Sequence, residues 1–197
     1  MVDLALDASA QALLFRDAHT AHAFGPEPVT DDEVRAILDL VQWAPTSMNS
    51  GPMRIVLVRS EAAKATLVSH LFEPNRPKSA SAPLNVILAA DTDFHLTLPR
   101  LVPSATNPQD RFPDPVAREA FARSQAWMQV AYFVLGVRAL GLGVGPMTGF
   151  DAAGVDSHLL GGTTLKSIAV LNVGHPAEGA FRPRAPRLPA DEVISSI

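Results

Sequence analysis

The sequence predicts one folded domain in which helices pack on a sheet of interior strands, and three observations carry that prediction. The 197 residues are 47% hydrophobic and 18% charged, enough for a chain of this length to bury roughly 70% of its unfolded surface without a disulfide or metal staple. Short, largely apolar runs at 55–58, 86–90 and 167–173 have the pattern of strands covered on both faces. Apolar residues recur at helical spacing after Thr30 and again between Val116 and Leu140.

Taken in order, Thr30-Asp31-Asp32-Glu33 is a capping box followed by Val34, Ile37, Leu38 and Val41, which predicts a helix from Asp31 to Trp43 that Pro45 ends. Thr46 to Pro52 holds Ser, Asn, Gly and Pro and reads as a loop. Ile55 to Val58 follows as a buried strand, Ser60 caps a helix toward Phe72, and Val86 to Ala90, bounded by Pro83 and Asp91, is a second strand. The order so far is strand, helix, strand. Leu98 to Val116 contains Pro99, Pro103, Pro108, Pro113 and Pro115 without periodicity, as expected of a functional lid rather than a simple connection.

Pro115 suits the first turn of the longest helix, Val116 to Leu140. Its Phe121, Trp127, Met128, Ala131, Val134, Leu135 and Val137 are apolar over most of the circumference, as a central helix requires. Gly141 ends it, and Gly141 to Pro146 reads as a helix cap and tight turn, or as backbone able to approach a planar ligand closely. A short helix near Asp151 to Leu159 precedes a third interior strand, Ser167 to Val173, closed by Gly174. The tail from His175 to Pro189, with four prolines and three arginines, cannot fold on itself and is expected to lie across another surface, such as a partner subunit.

Composition narrows the chemistry. There is no cysteine, hence no thiolate nucleophile, redox pair, iron–sulfur ligation or zinc knuckle, and a reducing compartment is compatible. A net charge of -4 without a basic stretch argues against nucleic acid. The first residues carry Asp3 and Asp7 rather than the start of a signal peptide, and no apolar run approaches the ~20 residues of a membrane span, so a cytoplasmic protein is expected. The Gly141-x-Gly143-x-Gly145 spacing is not a dinucleotide fingerprint, because a helix precedes it and Pro146 follows. Asp91, Asp93 and His95 alternate at a strand end, where turn formation is the expected role and a metal is not. No GxSxG elbow anchors hydrolase chemistry. What remains is scattered: Arg16, His19, Thr20 and His22; Pro45 to Asn49; Gly145 to Phe150; and Arg182, Arg184 and Arg187.

Those scattered blocks carry a resemblance. Trp43-Ala44-Pro45-Thr46-Ser47-Met48-Asn49-Ser50-Gly51-Pro52 resembles the W-A-P-S-x-x-N-x-Q-P signature of the nitroreductase family of FMN-dependent oxidoreductases. His19-Thr20-Ala21-His22-Ala23-Phe24 stands where that family has R-S-x-R-x-F. Leu140 to Gly143 with Gly149-Phe150-Asp151 resembles its G-L-G…G-G-F-D block, and Val173 to Pro176 with Arg187 its closing G-Y-P…R element. Within the family, Thr46 to Asn49, Gly145 to Asp151 and Thr163 to Ser167 look most like the malonic semialdehyde reductase branch.

The resemblance implies an α+β fold with a central, mostly antiparallel sheet flanked by helices. It also implies a homodimer with FMN at the interface and a C-terminal extension reaching the partner subunit. NADH or NADPH is the implied donor, and the cofactor rather than a side chain carries the hydride. Carried over by position, Asn49 would hydrogen-bond the flavin's polar edge, Thr46 and Ser47 would border the ring from the neighbouring subunit, and Pro45 belongs to the same cofactor-binding set. Backbone at Pro146, Met147, Thr148 and Gly149 would reach its polar edge, while Arg184 and Arg187, with Thr20, would meet its phosphate. His19 and His22 depart from the family's arginines: histidine offers a partial charge near neutral pH where a guanidinium offers a fork. Arg16 stands three residues away to compensate, and affinity that weakens as pH rises is expected. Arg100 and Arg111 on the proline-rich segment, then Arg76 and Lys78, are the candidates for an anionic second substrate. Malonic semialdehyde is the expected acceptor, with broad nitroaromatic or quinone reduction, or flavin binding without turnover, as alternatives.

Overall fold

The computed structural model describes residues 3–197. Helix α1 (Ala8–Gln11) runs into a π-helical turn over Ala12–Arg16. Then follow α2 (Asp31–Val41), β1 (Met53–Val58), α3 (Glu61–His70), α4 (Arg76–Ala80), β2 (Leu84–Asp91), α5 (Leu98–Leu101), α6 (Pro115–Ala139), β3 (Gly143–Met147), α7 (Ala152–Leu159), β4 (Leu165–Gly174) and α8 (Ala190–Val193). The four strands form one sheet in the order β1-β2-β4-β3, every pair antiparallel. The fold is α+β, and the strand-helix-strand order is a run of antiparallel neighbours rather than a parallel crossover. Among the described residues no helix is long and apolar enough to cross a membrane.

Local chemistry sets the boundaries. The Thr30 hydroxyl accepts from the Glu33 N–H while the Glu33 carboxylate accepts from the Thr30 N–H, the reciprocal capping box. Ser60 and Asp151 cap α3 and α7 in the same manner, each accepting from an N–H three residues on. Asp114 caps α6, with Pro115 at its first position. Leu84, Val86 and Leu88 on one face of β2 join Ile37, Val41, Phe133 and Val137 in the larger core, between the sheet and the α2–α6 pair. The other face, with Ile87, Ala89 and Val170, packs on Leu67 and Val155 of α3 and α7. Gly136 is where α2 crosses α6, since a Cβ there would stand 2.5 Å from Val41 Cγ1.

Four expectations are corrected. Gly143–Met147 is a strand, because Gly141 (φ +80°) caps α6 and releases extended chain directly onto β4. Pro146 is tolerated because β3 is a sheet edge. Strand β1 is likewise an edge, half-buried along Met53–Leu57 rather than covered on both faces. The proline-rich segment contains α5 and a 3-10 turn at Pro108–Arg111, pinned by Phe112 in edge contact with Phe94 (4.9 Å) and tilted on Phe121 (4.8 Å). Finally, α6 is not enclosed by its own chain: Trp127, Met128 and Tyr132 are 43%, 44% and 41% exposed.

Candidate functional site

The edge of β3 is occupied by the segment that precedes α2. The Ala21 N–H donates to the Val144 carbonyl (3.0 Å), His22 N–H to Ala180 (2.9 Å) and Gly25 N–H to His175 (2.8 Å). Residues 21–25 are thus held between β3 and the chain that leaves β4. Glycine makes this approach possible: a Cβ on Gly145 would lie 2.8 Å from the Ala21 carbonyl oxygen, and one on Gly143 3.0 Å from the Ala21 methyl. Arg184 completes the clamp, its Nη2 donating to the carbonyls of Arg16 (2.6 Å) and Ala18 (3.0 Å).

This knot brings His19, Thr20 and His22 into one cleft of about 200 Å³ with Arg138, Arg182, Arg184 and Arg187. No carboxylate lines it among the described residues. Four guanidiniums without a counter-charge make an anion site, since each gains from a shared multivalent anion what it loses by standing near the others. Arg16 is placed differently, with its Nε on the Gln11 side chain (3.1 Å) while only its carbonyl enters the knot. The pKa of His22 is lowered by burial first, then by Arg182 and Lys78. Lys78 is lowered by burial and by Arg182.

Arg138 is the residue that the sequence reading missed. It extends from the last turn of α6, where a cation ordinarily does no more than complement the helix dipole. Its Nη1 donates to the Leu14 carbonyl (3.3 Å), and its Nε is shut off from solvent with no acceptor among the described residues, which costs about 1–3 kcal/mol when nothing satisfies it. The sequence signal was a lone charge in the otherwise apolar run from Val130 to Val137 and beyond to Leu140.

Arg138 also ends an apolar groove of about 430 Å³ formed by Trp127, Ala131, Val134 and Leu135 on one stripe of α6 and by Pro146 of β3. Of the other β3-end residues, Met147 points into the core against Ser79 Oγ (3.8 Å), Thr148 is exposed, and the Gly149 carbonyl accepts from the Phe72 N–H and from Asn75 Nδ2 (both 3.0 Å).

The loop after α2 forms a second cluster, apart from the cleft. Met48 and Asn49 are left-handed (φ 57° and 50°), a conformation that costs such residues roughly 1–2 kcal/mol and that concentrates at ligand clamps. The loop is stapled to α6 by two glutamines one turn apart: Ser47 N–H donates to Gln125 Oε1 (2.7 Å) and Met53 N–H to Gln129 Oε1 (2.9 Å). Thr46 Oγ1 accepts from the Gly51 N–H (3.1 Å), and Asn49 Nδ2 donates to the Leu101 carbonyl (3.1 Å). Pro45 and Ser47 remain exposed. Gln125 and Gln129, hidden in a helical pattern, were not legible as loop anchors. Arg100 and Arg111 are exposed on the proline-rich segment and border neither the cleft nor the groove. Asp91 and Asp93 are paired, with Arg54 (2.8 Å) and Arg118 (3.4 Å).

The nitroreductase family profile matches residues 16–175. The chain belongs to the nitroreductase family. A nitroreductase relative from Streptomyces griseus, provisionally named NADH dehydrogenase/NAD(P)H nitroreductase, is 49% identical over the full length of both chains. A solved Bacillus subtilis protein, provisionally named a nitroreductase, superposes with a TM-score of 0.85 at 19% identity, covering 97% of this chain and 100% of that one. A protein from Exiguobacterium sibiricum, also provisionally a nitroreductase and solved in complex with FMN, matches with a TM-score of 0.81 at 18% identity over 100% of both.

Proposed function

We propose that this nitroreductase-family chain acts, as a single domain, as an FMN-dependent NAD(P)H oxidoreductase and works as a homodimer. The observation that carries the reading is the junction of the carboxylate-free arginine cleft with the apolar groove at Arg138. That pairing suits a ligand with a phosphate at one end and a flat aromatic system at the other. When bound, FMN supplies the hydride-transfer chemistry that links a nicotinamide donor to a second substrate.

The chain's own residues do the rest. Arg138, Arg182, Arg184 and Arg187 balance the phosphate, with Thr20 and the histidines as additional donors. Pro146 and the Trp127–Leu135 stripe keep water from one side of the ring. Orientation and exclusion of water are the protein's contribution.

Dimerisation is supported by two features. The exposed apolar face of α6 is of the kind that marks protein–protein contact. The stapled loop and the cleft also lie far apart in one chain: Gln125 and Arg138 are separated by roughly 20 Å along α6 at 1.5 Å per residue. A two-fold pairing through α6 would bring one subunit's Pro45, Thr46, Ser47 and Asn49 to the other's groove. The tail beyond Arg187, whose Leu188, Val193 and Ile194 are exposed, would cross to the same partner.

Malonic semialdehyde is the second substrate that we favour, on the branch-like motifs at Thr46–Asn49 and Gly145–Asp151. Unselective reduction of nitroaromatics or quinones is the competing reading, favoured by the open, apolar groove. The test is an absorbance spectrum of the purified protein with FMN, then with NADH or NADPH under anaerobic conditions. Binding and bleaching are expected, with colour returning fastest on malonic semialdehyde. Binding without bleaching would make the chain a flavin store, and faster return on a quinone would remove the aldehyde.

The affinity for FMN should depend on pH in a definite direction. Because His22 is held below the ordinary histidine value of ~6.5, folding disfavours its protonated form, and the ligand-free chain loses stability as pH falls through that range. A bound phosphate favours the protonated form, so affinity rises as pH falls. The dissociation constant should tighten as pH falls from about 8 to about 6. Titrations of flavin fluorescence across this range check this, and an affinity that weakens toward pH 6 would exclude His22 from the phosphate.

A further inference from the structure

We propose that Arg138 is the residue by which this chain tells a phosphorylated flavin from an unphosphorylated one. The inference rests on the reading that the cleft receives the phosphate of FMN. Of the cleft's arginines, Arg184 has its Nη2 committed to the carbonyls of Arg16 and Ala18, and Arg187 spends its Nη1 on the carbonyls of Ala185 and Pro186 within the exposed tail. Arg182 and Arg187 both stand on chain with no regular structure. Arg138 alone rises from a 25-residue helix, so its stem is fixed by the core rather than by the tail.

The guanidinium of Arg138 is also half-committed in a telling way. Its Nη1 is tied to the Leu14 carbonyl. The opposite edge, Nε with Nη2, makes no hydrogen bond among the described residues, and Nε is closed off from water. That edge is the one that grips two oxygens of a phosphate through parallel bonds. No carboxylate lies within salt-bridge distance among the described residues, so no described carboxylate competes for it. His19 and His22 add donors but, being rings with one good donor each at neutral pH, cannot supply a fork. Arg138 borders both the cleft and the groove, which puts the fork at the point where a phosphate-bearing chain would leave the ring.

Riboflavin shares the ring and ribityl chain of FMN and lacks only the phosphate, so it separates this role from general packing. Fluorescence titrations of the wild-type protein, Arg138→Met and Arg138→Lys with each flavin are the experiment. The expected result is FMN binding weakened about tenfold or more in Arg138→Met, the loss of a charge-assisted pair, with riboflavin binding within about twofold of wild type. Arg138→Lys keeps the charge and stem but not the fork, and should lose about threefold or more of the preference for FMN. Should Arg138→Met fail to fold, that lysine variant decides. Equal losses for both flavins, or an unchanged preference in either folded variant, would overturn the proposal while leaving the FMN reading intact. Wild-type protein that binds neither flavin would overturn both.

Discussion

In the proposed homodimer, Ala131→Arg is expected to leave a monomer and to weaken FMN binding by about 100-fold or more. Ala131 is exposed in the single chain, in the middle of the stripe formed by Trp127, Ala131, Val134 and Leu135, so the substitution removes no packing from the core. In a two-fold dimer built through α6 it acts twice, because each copy presents the same patch to the other. An unpaired guanidinium in an apolar interface costs several kcal/mol, and each 1.4 kcal/mol is about a tenfold change. Light scattering after size exclusion reads the oligomer, flavin fluorescence the affinity, and far-UV circular dichroism the fold. A variant that stays dimeric with full affinity would remove α6 from the interface; one that stays dimeric but loses FMN would place Ala131 against the ring instead.

Gly145→Ala should be the most damaging single methyl group in the chain's cofactor region. Gly145 does not have a positive φ, so alanine can adopt its backbone and the effect comes from contact alone. The added Cβ would stand 2.8 Å from the Ala21 carbonyl oxygen. Backbone cannot step aside as a flexible side chain can, so the 19–22 segment must lift from β3, weakening the Ala21–Val144 hydrogen bond and pulling His19, Thr20 and His22 from the cleft. Overpacking of this kind costs about 1–3 kcal/mol, and melting should fall by roughly 3–10 °C for a chain of this size. FMN should bind more weakly in the folded variant. Gly141→Ala is the control: its φ of +80° strains any side chain, but a Cβ there meets nothing within 4 Å, so it should cost about 1–2 kcal/mol and leave the cleft in place. Equal FMN affinity in both variants would show that the Gly145 approach does not shape the site.

The two glycines also show what was legible in the sequence. Start signals are local, so Thr30, Ser60 and Pro115 mark helix starts within a residue of where they occur. Strand interiors are nearly as plain, because Ile87, Leu88 and Val170 are apolar whatever their partners. Strand β3 was not, since Gly143, Gly145 and Pro146 have poor strand propensity and owe their conformation to β4 and to the chain pressed on their edge. The cleft was half legible. His19, Thr20, His22, Arg184 and Arg187 came from positional resemblance and do meet, whereas Arg16 turns to Gln11. Arg138, Gln125 and Gln129 were hidden because a helix pattern reports which face is apolar and not what its polar exceptions hold.

The clamp between residues 16–25 and 175–184 has a consequence for synthesis. The contact from Arg184 to the Arg16 carbonyl joins positions 168 apart, so the cleft is closed by two segments of which one is synthesised long before the other. While translation proceeds, the early segment has no Ala180 or His175 carbonyl to receive its N–H groups, and the four-stranded sheet itself is incomplete until β4 emerges. A chain cut short before β4 and Arg184 therefore lacks both the sheet and the clamp that shape the cleft.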